Sequence, residues 1–118
     1  HIEIVKLLLG AEGIEINHPM NDGATPLMFA SQAGHVGIVK TLLGAEGIKV
    51  NTSNIQHGAT PLFMASQNNH IEIVKLLLGA EGIEINQPMN NGGTALAMAK
   101  QQKHKEIVQL LEAAGATQ

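Results

Sequence analysis

The chain has 118 residues, a formal net charge of −3 with histidine neutral, no cysteine, and an aromatic fraction of only 2%. This length suits one domain, and the lack of cysteine excludes both a disulfide framework and a thiolate metal site. The weak, dispersed charge argues against a nucleic-acid-binding face, and the apolar runs are too short to cross a bilayer. Because no secretory signal pattern is present, we expect a cytoplasmic (intracellular) protein.

The first predicted element is an apolar helix within HIEIVKLLLGAEGIEIN, residues 1–17, and the same seventeen letters return at residues 70–86. Segments led by histidine begin at His1, His35, His70 and His104, which are 34, 35 and 34 residues apart. Self-similarity at this period is typical of a solenoid, in which each unit stacks on its neighbours. We therefore predict a half repeat at 1–17, repeats at 18–51 and 52–86, and a C-terminal capping repeat at 87–118.

Each full unit is predicted to contain two helices and a finger. Thr60 and Pro61 form a helix start, since threonine caps free N–H groups and proline suits the first helical position. This helix should end near Asn68 and Asn69, and a second should run over about residues 71–78, before glycine stop signals. Residues 51–58 are rich in turn formers and indicate an extended hairpin or finger.

The two ends of the chain differ in polarity. Three positions that are small or apolar in the preceding unit become charged in the last one: Lys100, Lys105 and Glu112. Such changes predict a terminal repeat with no neighbour on that side. Residues 1–17 carry no polar replacements, so we interpret them as half a repeat left by truncation. We expect an apolar patch near Val5 and Leu8, and self-association or fraying there.

The six histidines suggest a metal site, but their spacing disfavours one. His35, His70 and His104 occur once per repeat, and packed helices stand about 8–10 Å apart. Zinc needs its ligands at about 2.0–2.1 Å, so such a ladder cannot share an ion. We predict that these side chains bond to backbone between repeats. His18 and His57 lie in the fingers without partner ligands nearby in sequence, and we predict no metal.

Other reactive residue types follow the same repeat. Glu3, Glu72 and Glu106 share one helix position on a solvated face, whereas acid–base catalysis needs two carboxyl groups in different environments within one cleft. Ser31 and Ser66 are copies of each other, so neither forms a unique nucleophile. The glycine-containing segments lack the Gly-Lys-Ser/Thr of a phosphate loop. We predict no catalytic residues and no cofactor, and therefore not an enzyme.

Several stretches carry a family resemblance: Gly58 to Leu62, Ala65, His70 to Leu78, and Ile85-Asn86. They resemble the ankyrin repeat, with its Thr-Pro-Leu and His-x-Glu-Ile-Val-x-Leu-Leu-Leu elements. This resemblance spans the whole chain and implies an all-α, ankyrin-repeat solenoid of stacked helix-turn-helix units with extended finger loops or hairpins. The chain departs from the family where a histidine usually follows Thr-Pro-Leu, at Met28, Phe63 and Ala97, and in slightly longer loops. The repeated Asn17, Asn51 and Asn86 resemble the family asparagine that bridges successive turns and that is hydroxylated in some members.

The resemblance also implies a non-enzymatic protein-interaction module that binds an unidentified protein partner, and neither nucleic acid nor membrane. The implied contacts lie on the finger tips and the concave face: Asn21, Asp22, Ala24, Gln32, Ala33, Gln56, His57, Ala59, Gln67, Asn68, Asn90, Asn91, Gly93, Gln101 and Gln102. These positions lack the Trp, Tyr and Arg that dominate binding hot spots. A structural spacer or engineered stability scaffold with no partner is the alternative. Met64 and Met98 are predicted in the core between repeats.

Overall fold

Six helices make up the regular structure of this computed structural model, which describes residues 25–45, 47–53 and 57–117. They are α1 (Pro26–Ala33), α2 (Val36–Leu43), α3 (Pro61–Gln67), α4 (Ile71–Leu78), α5 (Ala95–Gln101) and α6 (Lys105–Ala113). No strand occurs among the described residues. None of their helices has the length and apolar character that a membrane span requires. The predicted half repeat at 1–17 lies outside the described residues.

The first helix of each unit starts at a threonine. The Oγ1 atoms of Thr25, Thr60 and Thr94 accept hydrogen bonds from the backbone N–H three residues later, at 3.3, 3.2 and 3.1 Å. Proline follows the first two of these threonines, whereas Ala95 follows the third. The side-chain cap is present in all three units, so it starts α5 without a proline. The predicted helices of the second unit are confirmed at Pro61–Gln67 and Ile71–Leu78.

A residue with positive φ joins the two helices of each unit. Gly34, Asn69 and Lys103 have φ values of 82°, 59° and 61°. A Cβ atom on Gly34 would stand 2.8 Å from Cε1 of His70, so glycine is needed there for space as well as for conformation. Asparagine tolerates this backbone region better than most residues, but lysine does so only under strain.

The units stack with equivalent helices in contact. Helices α1, α3 and α5 form one layer, α2, α4 and α6 form a second, and the helices of each unit pack against each other between the layers. The core holds the same apolar positions from every unit: Leu27, Ile38, Leu42, Leu62, Ile73, Leu77, Leu96, Ile107 and Leu111. Full burial of such a side chain contributes about 1.5–3 kcal/mol. No single pair of helices could bury this set alone, so stacking creates the core.

Two serines interrupt this apolar stack. Ser31 and Ser66 are fully buried in α1 and α3, and their Oγ atoms have no hydrogen-bond partner. The equivalent residue of α5 is the exposed Lys100, whose Nζ lies 3.9 Å from Oε2 of Glu112. Lys105 is exposed too. The side of the last described unit that faces away from the stack is therefore charged, as the sequence predicts.

Candidate functional site

Helices α1, α3 and α5 each leave one side uncovered. The uncovered positions follow the i, i+3, i+4 spacing of a single helix face. We call these nine residues the first-helix face: Phe29, Gln32, Ala33, Met64, Gln67, Asn68, Met98, Gln101 and Gln102. Phe29 is 46% exposed and is the large hydrophobic residue that stands out at the surface of the described part. Met64, Gln67 and Met98 are partly buried, and the other six residues, Phe29 included, are exposed.

The face has three rows that run across the stacked units. Phe29, Met64 and Met98 form an apolar row; the second row consists of glutamines only, Gln32, Gln67 and Gln101; and the third contains Ala33, Asn68 and Gln102. Since α1 contacts α3 and α3 contacts α5, equivalent side chains recur at the helix-packing distance of about 8–10 Å. The first-helix face is thus a periodic surface rather than a single pocket.

Most charged side chains of the described helices lie on the second helices, and Lys100 of α5 is the exception among the first helices. The exposed residues of the second helices include Lys40, Glu72, Lys75, Lys105, Glu106 and Glu112, whereas none of the nine residues of the first-helix face carries a charge. Glu72 and Lys75 are on the solvent side of α4, as predicted from sequence. A partner that approached the first-helix face would therefore displace water from amide, methyl, thioether and aromatic groups and leave the charged side chains hydrated.

The histidines that begin the second helices link neighbouring units. Nε2 of His70 lies 3.0 Å from the backbone carbonyl oxygen of Gln32, and Nδ1 of His104 lies 3.0 Å from that of Ser66. The amide nitrogen Nδ2 of Asn68 also donates to the Gln32 carbonyl, at 3.2 Å. Backbone bonding of these two histidines between repeats is confirmed. The described residues contain no group of three potential histidine or carboxylate ligands for a metal.

Asparagines join the loops that follow the second helices. Nδ2 of Asn51 donates to the carbonyl oxygen of Gly82 at 2.8 Å, and its Oδ1 accepts from the backbone N–H of Glu84 at 2.8 Å. Oδ1 of Asn86 accepts from the N–H of Thr117 at 2.8 Å. The bridging role predicted for the repeated asparagine is therefore confirmed at both described positions. Asn17 lies outside the described residues.

The fingers are held to each other through backbone. The N–H of Asn90 donates to the carbonyl oxygen of His57 at 2.8 Å, and the N–H of Met89 donates to that of Gly93 at 2.7 Å. Gly58 has a φ of 73°, and a Cβ there would approach Oδ1 of Asn90 to 2.6 Å. This close approach requires a glycine, so the described parts of two successive fingers meet directly at Gly58 and Asn90.

The predicted finger contacts are placed unevenly by the structure. His57, Asn90 and Asn91 are exposed, and Gly93 is partly buried. Ala59 is only 2% exposed, so its side chain offers little surface to a partner. Its role as a contact residue stays a prediction. Four other predicted contacts lie outside the described residues: Asn21, Asp22, Ala24 and Gln56.

The methionine prediction also needs correction. Met64 and Met98 were expected in the core but are partly exposed, and the side-chain amide of Gln102 lies 3.7 Å from Sδ of Met98. In the first two described units the buried residue lies one position earlier in the helix: Met28 before Phe29 and Phe63 before Met64, at 1% and 3% exposure. In the third unit Ala97 holds that position and is exposed. Sequence reasoning therefore missed Phe29 and its row. The available signal was the i, i+3 spacing of Phe29 and Gln32 on one side of α1.

A groove between two loops is an alternative candidate for a catalytic site. A cavity of about 740 Å³ lies between the loops that follow α2 and α4, lined by glycine, alanine and aliphatic residues. Among the described residues of its lining, Glu81 is the one with an ionisable side chain. General acid–base catalysis would need a second group with a different proton affinity in the same cleft. The described lining therefore offers no catalytic pair.

Comparison with known protein families gives a match to this chain. The family described as "Ankyrin repeats (3 copies)" matches residues 1–54 and residues 47–117. The two matched segments overlap and together extend over nearly the whole chain. The comparison with curated proteins gave no match.

Proposed function

Because the chain belongs to the ankyrin repeat family, whose repeats are generally protein–protein interaction modules, we propose that it binds a protein partner through the first-helix face. The observation that carries this proposal is an uncharged surface that recurs in three units and exposes 46% of Phe29. The family is typically non-enzymatic, and we propose no catalytic activity. An intracellular (cytoplasmic) setting is part of the proposal.

The energetics of this face favour a protein ligand. Burial of aromatic and thioether surface on Phe29, Met64 and Met98 gains about 25 cal/mol per Å² of apolar area removed from water. The glutamine row can both donate and accept hydrogen bonds, so it can replace the water that it loses with polar groups of a partner. A charged face would instead carry a desolvation cost that only paired opposite charges offset.

The finger tips extend the proposed surface. His57, Asn90 and Asn91 are exposed beside the first-helix face, and their backbone is anchored by the bond between the Asn90 N–H and the His57 carbonyl. A surface held in place before binding loses less conformational entropy when it is covered. Four positions outside the described residues stay in the proposal: Asn21, Asp22, Ala24 and Gln56. Self-association through residues 1–17 also stays a prediction.

A capture experiment tests the proposal. The parent chain and a variant with Gln32→Arg, Gln67→Arg and Gln101→Arg are used as baits, and captured proteins are identified by mass spectrometry. The matched control carries Lys40→Gln, Lys75→Gln and Glu106→Gln, three substitutions on the second helices. Circular dichroism checks that all three chains have the same helix content, as expected for surface substitutions.

The proposal predicts a partner that the parent and the control capture and the glutamine variant loses. The partner is then purified, and its affinity for each chain is measured directly. Identical capture by the parent and the glutamine variant would contradict the proposal. That result would favour the alternative of a structural spacer or engineered scaffold.

A further inference from the structure

The spacing of the first-helix face limits which conformation a partner segment can have. Each row offers one side chain per unit, at the helix-packing step of about 8–10 Å. A segment that lies along the stack and contacts every unit in the same way must present equivalent groups at that step. The question is which regular backbone has this period.

Three regular backbones can be compared. A polyproline II helix has three residues per turn and rises about 3.1 Å per residue, so equivalent groups recur every ~9 Å. A β-strand presents the same side every two residues, about 6.6–6.8 Å, which falls out of register with the units after one step. An α-helix repeats over seven residues in about 10.5 Å, close to the step, so period alone does not exclude it.

The glutamine row separates the two remaining backbones. Gln32, Gln67 and Gln101 offer side-chain amides that donate and accept hydrogen bonds. An α-helix uses its own backbone N–H and C=O groups internally, so it could not pair with this row through its backbone. A polyproline II backbone makes no internal hydrogen bonds. Its carbonyl oxygens are free to accept from one glutamine amide per turn.

The apolar row and the absence of charge on the first-helix face determine which side chains a bound segment can carry. Phe29, Met64 and Met98 supply one aromatic or thioether surface per unit, and proline-rich segments dock against aromatic and apolar grooves. Methionine adapts its shape to irregular apolar surfaces such as pyrrolidine rings. Since none of the nine residues is charged, a charged partner side chain would lose water without meeting an opposite charge. An uncharged segment is the complementary one.

We infer that the first-helix face binds an extended, uncharged, proline-rich segment of the partner in the polyproline II conformation, with one turn per unit. This inference rests on the proposed function and adds the conformation and chemistry of the bound segment. The apolar row contacts the side chains at every third position, and the glutamine row donates to backbone carbonyl oxygens and accepts from the N–H groups of the non-proline residues.

Peptide selection tests the inference. A random library of displayed 12-residue peptides is selected on the immobilised full chain, and enriched peptides are synthesised and measured by fluorescence anisotropy. The inference predicts uncharged peptides with proline or an apolar residue at every third position. Alanine scanning of the tightest peptide should weaken binding with a period of three.

Two matched protein variants locate the site of binding. Phe29→Ser and Lys40→Ser each replace an exposed helical residue by serine, on the first-helix face and on the opposite layer respectively. Binding of the selected peptide should weaken at least tenfold in Phe29→Ser and stay unchanged in Lys40→Ser. Equal weakening in both variants would overturn the inference, because it would show that the peptide binds elsewhere.

Other outcomes also overturn it and are distinguishable from failure of the proposed function. Enriched peptides with charged residues, alternating apolar residues or the i, i+3, i+4 pattern of a helix would replace the polyproline segment with another class of ligand. Self-association that Phe29→Ser abolishes in sedimentation would identify a second copy of the chain as the occupant. If the glutamine variant loses a captured protein but no peptide is enriched, the inference fails while the proposed function stands.

Discussion

Replacement of Ser66 by alanine should stabilise the protein. The Oγ atom of Ser66 is buried between stacked units without a hydrogen-bond partner. Burial of an unpaired hydroxyl costs about 1–3 kcal/mol by the measure of protein mutations. The bond from His104 goes to the backbone carbonyl of Ser66 and does not depend on the side chain. Removal of the hydroxyl therefore takes away a cost without removing an observed contact.

The expected gain in the free energy of unfolding has two parts, one from the buried hydroxyl and one from helix propensity. Alanine is favoured over serine in a helix interior by about 0.5 kcal/mol, and the unpaired hydroxyl adds about 1 kcal/mol at the lower end of its range. We expect Ser66→Ala to raise the free energy of unfolding by about 1–2 kcal/mol. Gln101→Ala, at the exposed last position of α5, is a surface control and should change the free energy of unfolding by less than about 0.5 kcal/mol.

Urea unfolding of the full chain, followed by circular dichroism at 222 nm, measures this change. With an m-value of about 1–3 kcal/mol/M, the Ser66→Ala midpoint should rise by about 0.3 M or more, with an unchanged slope. The control should shift by less. A midpoint that falls in Ser66→Ala would refute the reasoning, since it would show that the hydroxyl makes a contact or fills space that the methyl group cannot.

The remaining predictions concern three single positions in the repeat. Gly34→Ala should destabilise the protein by about 2 kcal/mol or more, because Gly34 has a φ of 82° and the new Cβ would stand 2.8 Å from the His70 ring. Lys103→Gly should stabilise the protein by about 1 kcal/mol, because Lys103 has a φ of 61°. Thermal unfolding of both variants checks these opposite signs, and equal signs would contradict them. Asn51→Ala should lower the free energy of unfolding by about 1–3 kcal/mol. The backbone N–H of Glu84 donates to Asn51 Oδ1 at 2.8 Å, so the substitution should also speed hydrogen exchange at that amide. Unchanged protection of the Glu84 amide would show that the bridge is not needed.

Local chemistry made much of the fold predictable. The threonine caps and the stop signals after the second helices act through residues that are neighbours in the chain, and the period of 34 to 35 residues is visible in the sequence itself. The predicted helices of the second unit agree with Pro61–Gln67 and Ile71–Leu78. The bridging asparagines and histidines were predictable from their recurrence, since a residue repeated once per unit meets the backbone of an adjacent unit each time. Asn51 and His70 show this directly.

The candidate site was less predictable, because exposure depends on what the neighbouring units cover. Met28 and Phe29 are adjacent apolar residues, yet one is 1% and the other 46% exposed. Hydrophobicity alone cannot rank them. Ala59 was predicted as a contact but is buried. The carbonyl oxygens that hydrogen-bond to the His70 and His104 side chains belong to residues at non-equivalent positions of their units.

The sequence by itself determined the repeat, the helix boundaries and the absence of charge from the first-helix face, because these properties are set within one unit. The tertiary structure decided which apolar side chains face outward, which hydroxyls are buried without a partner, and how the fingers meet through the Asn90 and His57 backbones. The physical reason is that the core belongs to no single unit. A side chain is buried or exposed according to the neighbour that stacks on it.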